Sequence, residues 1–462
     1  MTRLLQGTTA WIPELAKGTR AFCAGLLRPV TRAPGKAWWQ RPGWGIMYQI
    51  EYRPGWEWDR DYEAFNASMR DEEGRFRFDG PRCRVEEWVG LSREAGVDYH
   101  IMEAKWHDGI CFFDTALTDW KADEDYAAGF ARLSREAGIP FLFYYSAIFD
   151  HNPRFDAIQP DRRHTFSLLA LGGRPEYEEY LRGHYRELVE RYRPDGMWVD
   201  WYWPGDGSTE ATFAYFRENH PEVVLGLNFS NYLAGSYRRS HYTIGEAHHL
   251  AGPLVTLRRT GSSFLPVIHS AWGWTSIFRR MLGHPWELIA PAGLWWQDPR
   301  PREDPRELAR MAAVVMAGGG RFSVGATSRM DGSVEPGQAE LLRALGEWYR
   351  PRRHLFSRAV PLSYRGSRPP GVRVSPRGVK AIAARHGGDI LLHLVNTGGS
   401  PGVLEVWLEK ERWGGLAGVR LEPAGSGLEA EKTAGGICIR VAPSDIDAVD
   451  TILRLMGSGL VF

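Results

Sequence analysis

Cysteine is scarce in this chain of 462 residues, and the four present, Cys23, Cys83, Cys111 and Cys438, stand far apart. No C-x-x-C pair occurs, which removes the zinc-ribbon and dithiol-redox classes. Scattered thiols of this kind suit a reducing compartment. Charge excess is missing too. The formal net charge is +1, so electrostatics give no reason to expect a nucleic acid or a membrane surface as partner. Lysine is rare, 7 residues beside 50 arginines, a bias of composition from which no function is drawn. No apolar run approaches the ~20 residues of a spanning helix. Near the start, Arg3, Lys17, Arg20, Arg28 and Arg32 interrupt short apolar patches, and no secretory h-region is built. These features together predict a cytoplasmic protein.

Three motifs are also missing. No G-x-G-x-x-G follows a strand, which argues against a dinucleotide fold. No G-x-S-x-G elbow supports a serine hydrolase. No H-E-x-x-H or spaced His/Asp set supports a metal, and His248 and His249, being adjacent, point opposite ways in an extended segment. The expectation is no metal and no organic cofactor.

What is present in quantity is aromatic: 13% of residues, with 20 tryptophans. They concentrate in GMWVDWYWP, Gly196 to Pro204. Here an apolar run ends on a carboxylate, Asp200, and further indole rings follow. A desolvated carboxylate is costly unless it is paired or used. Aromatic rings around it suit a sugar, whose apolar ring faces stack on indole. The plainer reading is a helix N-cap or an arginine partner.

Residues 1–37 read as an N-terminal arm. From there, strand and helix patterns alternate. Strands are expected at 45–50, 97–104, 139–146, 196–201, 223–228, 242–246 and 264–270. Helices are expected at 84–96, 123–138, 174–192, 209–219, 306–316 and 336–348. The Gly318–Gly320 triplet follows a helix and reads as a turn. Seven or eight such units over residues 38–355 predict a (β/α)₈ TIM-like barrel. After Arg350 the chain breaks into short β-branched runs (372–374, 379–384, 390–395, 403–408 and 437–441) punctuated by Gly, Pro and Asn. They predict a C-terminal antiparallel β-sandwich over 356–462.

In such a barrel the active site lies at the C-terminal ends of the strands. The polar strand-end residues are Gln49, Glu51, Glu103, Lys105, His107, Tyr144, Tyr145, Asp200, Asn228 and Glu246. Alternation puts Trp198, Asp200 and Tyr202 on one face, and Glu103, Lys105 and His107 on another. Asp200 and Glu246 lie about two barrel units apart, so their strands are near neighbours. A retaining glycosidase needs two carboxyl groups about 5–5.5 Å apart. Glu103 is the rival second carboxylate, but Lys105, two residues on, is its expected partner. Glu246 reads equally as an exposed loop glutamate, and His107 as either a sugar contact or a core histidine.

Several stretches resemble glycoside hydrolase family 29, the retaining α-L-fucosidases. AGVDYHIMEAKWHDG is similar to that family's AGAKYVVLTAKHHDGF, and FLFYYS to its strand ending in Tyr-Tyr-Ser. YRPDGMWVDWYWP resembles its Y-x-P-D-x-x-W-x-D segment, whose last Asp is the nucleophile. TIGE resembles the strand whose Glu is the acid/base in some members. MDGSVEPGQAELLRALGEWYR resembles the stretch leading into its C-terminal sandwich. The resemblance implies Asp200 as nucleophile and Glu246 as acid/base. It implies sugar contacts from Glu57 and Trp58 after the first strand, and from Gln49, Trp106, His107, Tyr144, Tyr145, Trp198 and Trp203.

The departures lie in the histidines. Gln49 stands where the family's first-strand His would be, and Trp106-His107 replaces its His-His pair. The family's Arg after the fifth strand has no match around Asn228 to Asn231. These changes imply either an altered glycone or lost activity. The expected partner is an oligosaccharide or other glycoside, removed one terminal sugar at a time. The alternatives are a carbohydrate-binding protein on a glycosidase scaffold, a glycosidase for another sugar, and a barrel enzyme of unrelated chemistry.

Overall fold

In the computed structural model the described residues are 38–50, 67, 69–78, 80–147, 150–158, 174–200, 208–228, 241–246, 285–293, 296, 298–362, 368–397, 402–458 and 460. The expected arm at 1–37 and the expected strand at 264–270 lie outside them.

Eight parallel strands close into a barrel in chain order: β1 (Gly43–Ile50), β2 (Tyr99–Lys105), β3 (Phe141–Ser146), β4 (Gly196–Asp200), β5 (Val224–Leu227), β6 (Tyr242–Glu246), β7 (Trp286–Pro291) and β8 (Arg321–Ser328). β8 pairs back onto β1 from Gly43↔Arg321 to Ile50↔Ser328. Around them run α1 (Val85–Ala95), α2 (Tyr126–Ala137), α3 (Pro175–Tyr192), α4 (Ser208–Asn219), α5 (Arg306–Ala317) and α6 (Pro336–Tyr349). Local chemistry sets the ends. Asp125 caps α2 by accepting the Ala128 amide, and Gly96 and Gly138 end α1 and α2 in the left-handed conformation that lacks a Cβ penalty.

Strand alternation sorts the side chains into two cores. Met47, Ile101, Leu142, Tyr144, Trp198, Ile244 and Ile289 fill the barrel interior. Their neighbours along the strands, among them Ile46, Met102, Phe143, Val199 and Leu288, pack outward against the helices. Burial of each such large side chain is worth about 1.5–3 kcal/mol.

Two barrel strands differ from the pattern reading. β7 (WELIAP) and β8 (RFSVGATS) were not expected as strands. Glu287 and Arg321 interrupt their apolar character, and Ser323, Gly325 and Thr327 make β8 read as a loop. These residues sit on the interior-facing alternation of strands whose other side is packed by helices. The Gly318–Gly320 triplet is the turn between α5 and β8.

From Val360 onward the chain forms two antiparallel sheets. One runs in the order β10 (Val372–Ser375), β13 (Leu404–Glu409), β17 (Gly436–Val441), β16 (Ala430–Thr433), and the other β15 (Ser426–Leu428), β14 (Leu416–Glu422), β18 (Asp450–Gly457), β12 (Asp389–Asn396), β11 (Val379–His386), β9 (Val360–Pro361). The five expected runs are β10 (Val372–Ser375), β11 (Val379–His386), β12 (Asp389–Asn396), β13 (Leu404–Glu409) and β17 (Gly436–Val441). β18 (Asp450–Gly457), central in the larger sheet, was not expected. Helix α5 packs against β11 and β12, which ties the sandwich to the barrel.

Candidate active site

At the C-terminal rim of the barrel a recess is lined by Met47, Gln49, Glu103, Trp106, His107, Tyr144, Trp198, Asp200, Glu246, Ile289 and Trp296. Its wall of aromatic rings with a few convergent polar groups has the make-up of a small-molecule site. The rim residues come from the interior-facing alternation of successive strands. Ser146 pairs with Asp200 across β3 and β4, and β5 separates β4 from β6.

Asp200 is 5% exposed, and its charge is met by directed donors. Tyr144 donates to Oδ2 at 2.5 Å, and the Asn228 amide donates to Oδ1 at 2.8 Å. The same Asn228 nitrogen donates to Glu246 Oε1 at 2.5 Å. One primary amide therefore uses its two hydrogens on two carboxyl groups. Sequence reading placed Asn228 at a strand end but gave it no role. An amide's function depends on what lies beside it, and two strands supply that here.

His107 is buried. It shares a 2.7 Å hydrogen bond with Ser146 through Nδ1, and Nε2 lies 3.9 Å from Asp200 Oδ2. Burial pushes the imidazole well below its usual range, and the charge of Lys105 adds to this; it is neutral at neutral pH. It is a bonded core histidine that also lines the recess. Trp106 stacks on it, ring centroids 4.6 Å apart. Tyr144 stacks on Trp198 at 5.3 Å. Trp296, which no pattern singled out, adds a third indole to the wall.

Two expectations change. Tyr145 does not line the recess. Its ring belongs to the outer core, and its hydroxyl meets His184 Nδ1 at 2.7 Å on the helix side of β3. Glu103 and Lys105 do not share a face, because the β2–β3 register shifts between them. Such a bulge turns the alternation over. Lys105 faces outward and pairs with Asp150 at 2.9 Å, both fully buried. Glu103 faces inward and accepts the Ile50 amide at 2.7 Å.

The KWHDG turn depends on its glycine. Gly109 has φ +81°, and a Cβ there would collide with Asp150 and the Asn152 amide. Glu57, Trp58, Trp203 and Tyr202 lie outside the described residues, as do His248 and His249. Among the described residues no group of three His, Cys, Asp or Glu side chains is gathered for a metal.

Comparisons with known proteins agree with this architecture. The family model for alpha-L-fucosidase matches residues 44–352. Alpha-L-fucosidase 1 of Arabidopsis thaliana is 24% identical over 163 residues, 32% of this chain; the match spans 29% of that protein's length. The crystal structure of Thermotoga maritima alpha-fucosidase superposes with a TM-score of 0.64 at 21% identity, covering 92% of this chain and 97% of that one. An alpha-L-fucosidase from Bacteroides thetaiotaomicron, solved as a trapped covalent intermediate, gives a TM-score of 0.62 at 14% identity. It covers 93% of this chain and 99% of that one.

Proposed function

The chain belongs to the alpha-L-fucosidase family, and on that premise we propose that it is a retaining exo-glycoside hydrolase that removes a terminal sugar. The observation that carries the proposal is the shared Asn228 amide. Asp200 and Glu246 both bond to one nitrogen. Two carboxyl oxygens bonded to one nitrogen are close neighbours, which supports the ~5–5.5 Å spacing of a retaining enzyme over the ~6.5–9.5 Å of an inverting one. The covalent intermediate trapped in the Bacteroides fucosidase supports the same reading.

Asp200 attacks the anomeric carbon, and a bond forms between its carboxylate oxygen and that carbon. The glycosidic bond breaks, and Glu246 gives its proton to the leaving oxygen. Water then attacks the same carbon while Glu246 takes a proton from that water, and the ester bond to Asp200 breaks. Tyr144 and Asn228 hold Asp200 in its attacking position through hydrogen bonds to the charged form, which are the stronger kind. Because the Asn228 amide donates to Glu246 Oε1, the transferable proton belongs on Oε2. His107, Trp106, Trp198 and Trp296 form the walls against which the sugar packs. Glu57, Trp58 and Trp203 belong to the proposal as sugar contacts on the family resemblance alone. No metal or organic cofactor enters any step of this mechanism.

Gln49 and Trp106 both line the recess, at the two positions where the family's histidines are replaced. They favour a second reading, a glycone other than fucose. The cytoplasm is the proposed location, supported by three buried free thiols, Cys83, Cys111 and Cys438.

The test is Asp200→Ala assayed against aryl α-L-fucoside, α-L-galactoside, β-D-galactoside and α-L-arabinoside. Turnover of at least one by the wild-type chain and its loss in the variant are expected. Undiminished activity in the variant overturns the assignment. A wild-type chain that binds these sugars without turning any over is a lectin-like protein instead.

A further inference from the structure

The recess contains one more carboxyl group than the reaction uses. Glu103 of β2 and Gln49 of β1 both line it. They lie side by side, one step beyond the paired residues Tyr48 and Met102. Glu103 is 1% exposed and Gln49 is 6% exposed. Glu103 Oε2 is taken by the Ile50 amide at 2.7 Å. Glu103 Oε1 and Gln49 Oε1 are both buried with no hydrogen-bond partner among the described residues. Two neighbouring buried oxygens left unpaired cost stability unless a ligand or a water completes them.

We propose that Glu103 and Gln49 form a subsite for a single hydroxyl of the glycone, which bonds to Oε1 of each residue and makes Glu103 a determinant of sugar specificity. The proposal rests on the glycosidase reading and adds the feature of the sugar that this chain selects. Burial pushes the Glu103 carboxyl well above the usual carboxylate range, against the opposing Ile50 hydrogen bond and with the charges of Asp108 and Asp200 adding to it. That shift favours the protonated form, and because Oε2 accepts, its proton belongs on Oε1. The Gln49 carbonyl oxygen only accepts. A hydroxyl is both donor and acceptor, so one group takes the Glu103 proton as acceptor and donates its own to Gln49. A methyl or a hydrogen at that ring position satisfies neither. Sites built to bond a hydroxyl reject the analogue that lacks it far more strongly than apolar pockets sort by size.

Calorimetric titration of the wild-type chain with L-fucose, L-galactose, D-arabinose and L-rhamnose finds the monosaccharide held best, and monodeoxy analogues of that sugar then locate the hydroxyl. One analogue is expected to bind about 10- to 100-fold more weakly to the wild type, the range of a lost hydrogen bond to a buried polar pair. In Glu103→Leu that penalty is expected to fall below about threefold, as a coupled pair requires. Gln49→Met tests the same coupling from the other side and serves if Glu103→Leu does not fold, which its melting midpoint reports. Equal deoxy penalties in the wild type and both variants overturn the subsite, as does failure of all four sugars to bind. Activity surviving in Asp200→Ala overturns the glycosidase reading instead, and that result is separate from the deoxy coupling.

Discussion

Asn228 and Glu246 are joined by a 2.5 Å hydrogen bond whose donor nitrogen also reaches Asp200 at 2.8 Å. The amide fixes one oxygen of each carboxyl group at a common point and so sets how the pair faces the sugar. Asn228→Leu removes both bonds and keeps the approximate volume. Its kcat is expected to fall about 10²- to 10³-fold, the effect of removing one oriented donor from a water-poor site. Asn228→Asp, which adds a third carboxylate beside the pair, is expected to be worse. Steady-state rates on the best aryl glycoside decide it, and values within twofold of wild type remove the amide from the mechanism.

Tyr144 holds Asp200 Oδ2 through its hydroxyl and Trp198 through its ring. Tyr144→Phe separates the two roles. The stacking stays, so the melting midpoint is expected to move little. The lost hydrogen bond to a charged group is worth about 1.5–3 kcal/mol, which reads as a drop in kcat/KM of about 10- to 100-fold.

A Cβ on Gly325 would stand 2.8 Å from Gln49 Oε1 and 3.1 Å from the Trp296 ring. The Gln49 amide is the free end of a side chain and can swing aside, so Gly325→Ala is expected to fold normally. The displaced amide then intrudes on the recess. KM is expected to rise about 10-fold while kcat changes less, the pattern of lost ground-state binding. An unchanged KM means that Gln49 does not touch the sugar.

His100 is fully buried between Ser92 at 3.0 Å and Ser134 at 2.8 Å. Burial pushes its imidazole down to about 3. The unfolded chain binds this proton near 6.5, so between about 6.5 and 3 protons favour the unfolded state, and stability is lost as the pH is lowered through that window. The full contribution is present above that window, and the slope within it approaches about 1.4 kcal/mol per pH unit for this one group. His100→Gln is expected to flatten the acid limb of a plot of melting midpoint against pH, even if the variant is less stable at pH 7. An unchanged slope sinks this account.

Lys105 and Asp150 form an ion pair with both side chains fully buried. Removing one member leaves the other charge in the protein interior, at a cost of about 3–5 kcal/mol. Lys105→Met is therefore expected to lower the denaturant midpoint sharply, and Lys105→Met with Asp150→Asn to recover part of it. A double variant no better than the single one means that the two charges act independently.

The sequence by itself determined the repeating strand and helix order, because buried strands and amphipathic helices print their periods directly on the chain. Among the described residues, six of the eight barrel strands, the six helices around them and five sandwich strands were legible in that way. It also placed Asp200, Glu246, His107 and Tyr144 at strand ends. β7 and β8 were not legible, because Glu287, Arg321, Ser323 and Thr327 are polar residues that only a barrel interior makes sense of. The bulge in β2 was hidden as well. A one-residue register shift leaves no mark in composition, yet it sends Lys105 to Asp150 and leaves Glu103 in the recess. Tyr145 was assigned to the sugar for the same lack of facing information, since adjacent tyrosines on a strand look alike until one side becomes the barrel. Only the tertiary structure could bring Asn228 between Asp200 and Glu246, because hydrogen bonds across β4, β5 and β6 follow from barrel closure. An Asn at a strand end carries no sign of that closure in its own neighbourhood.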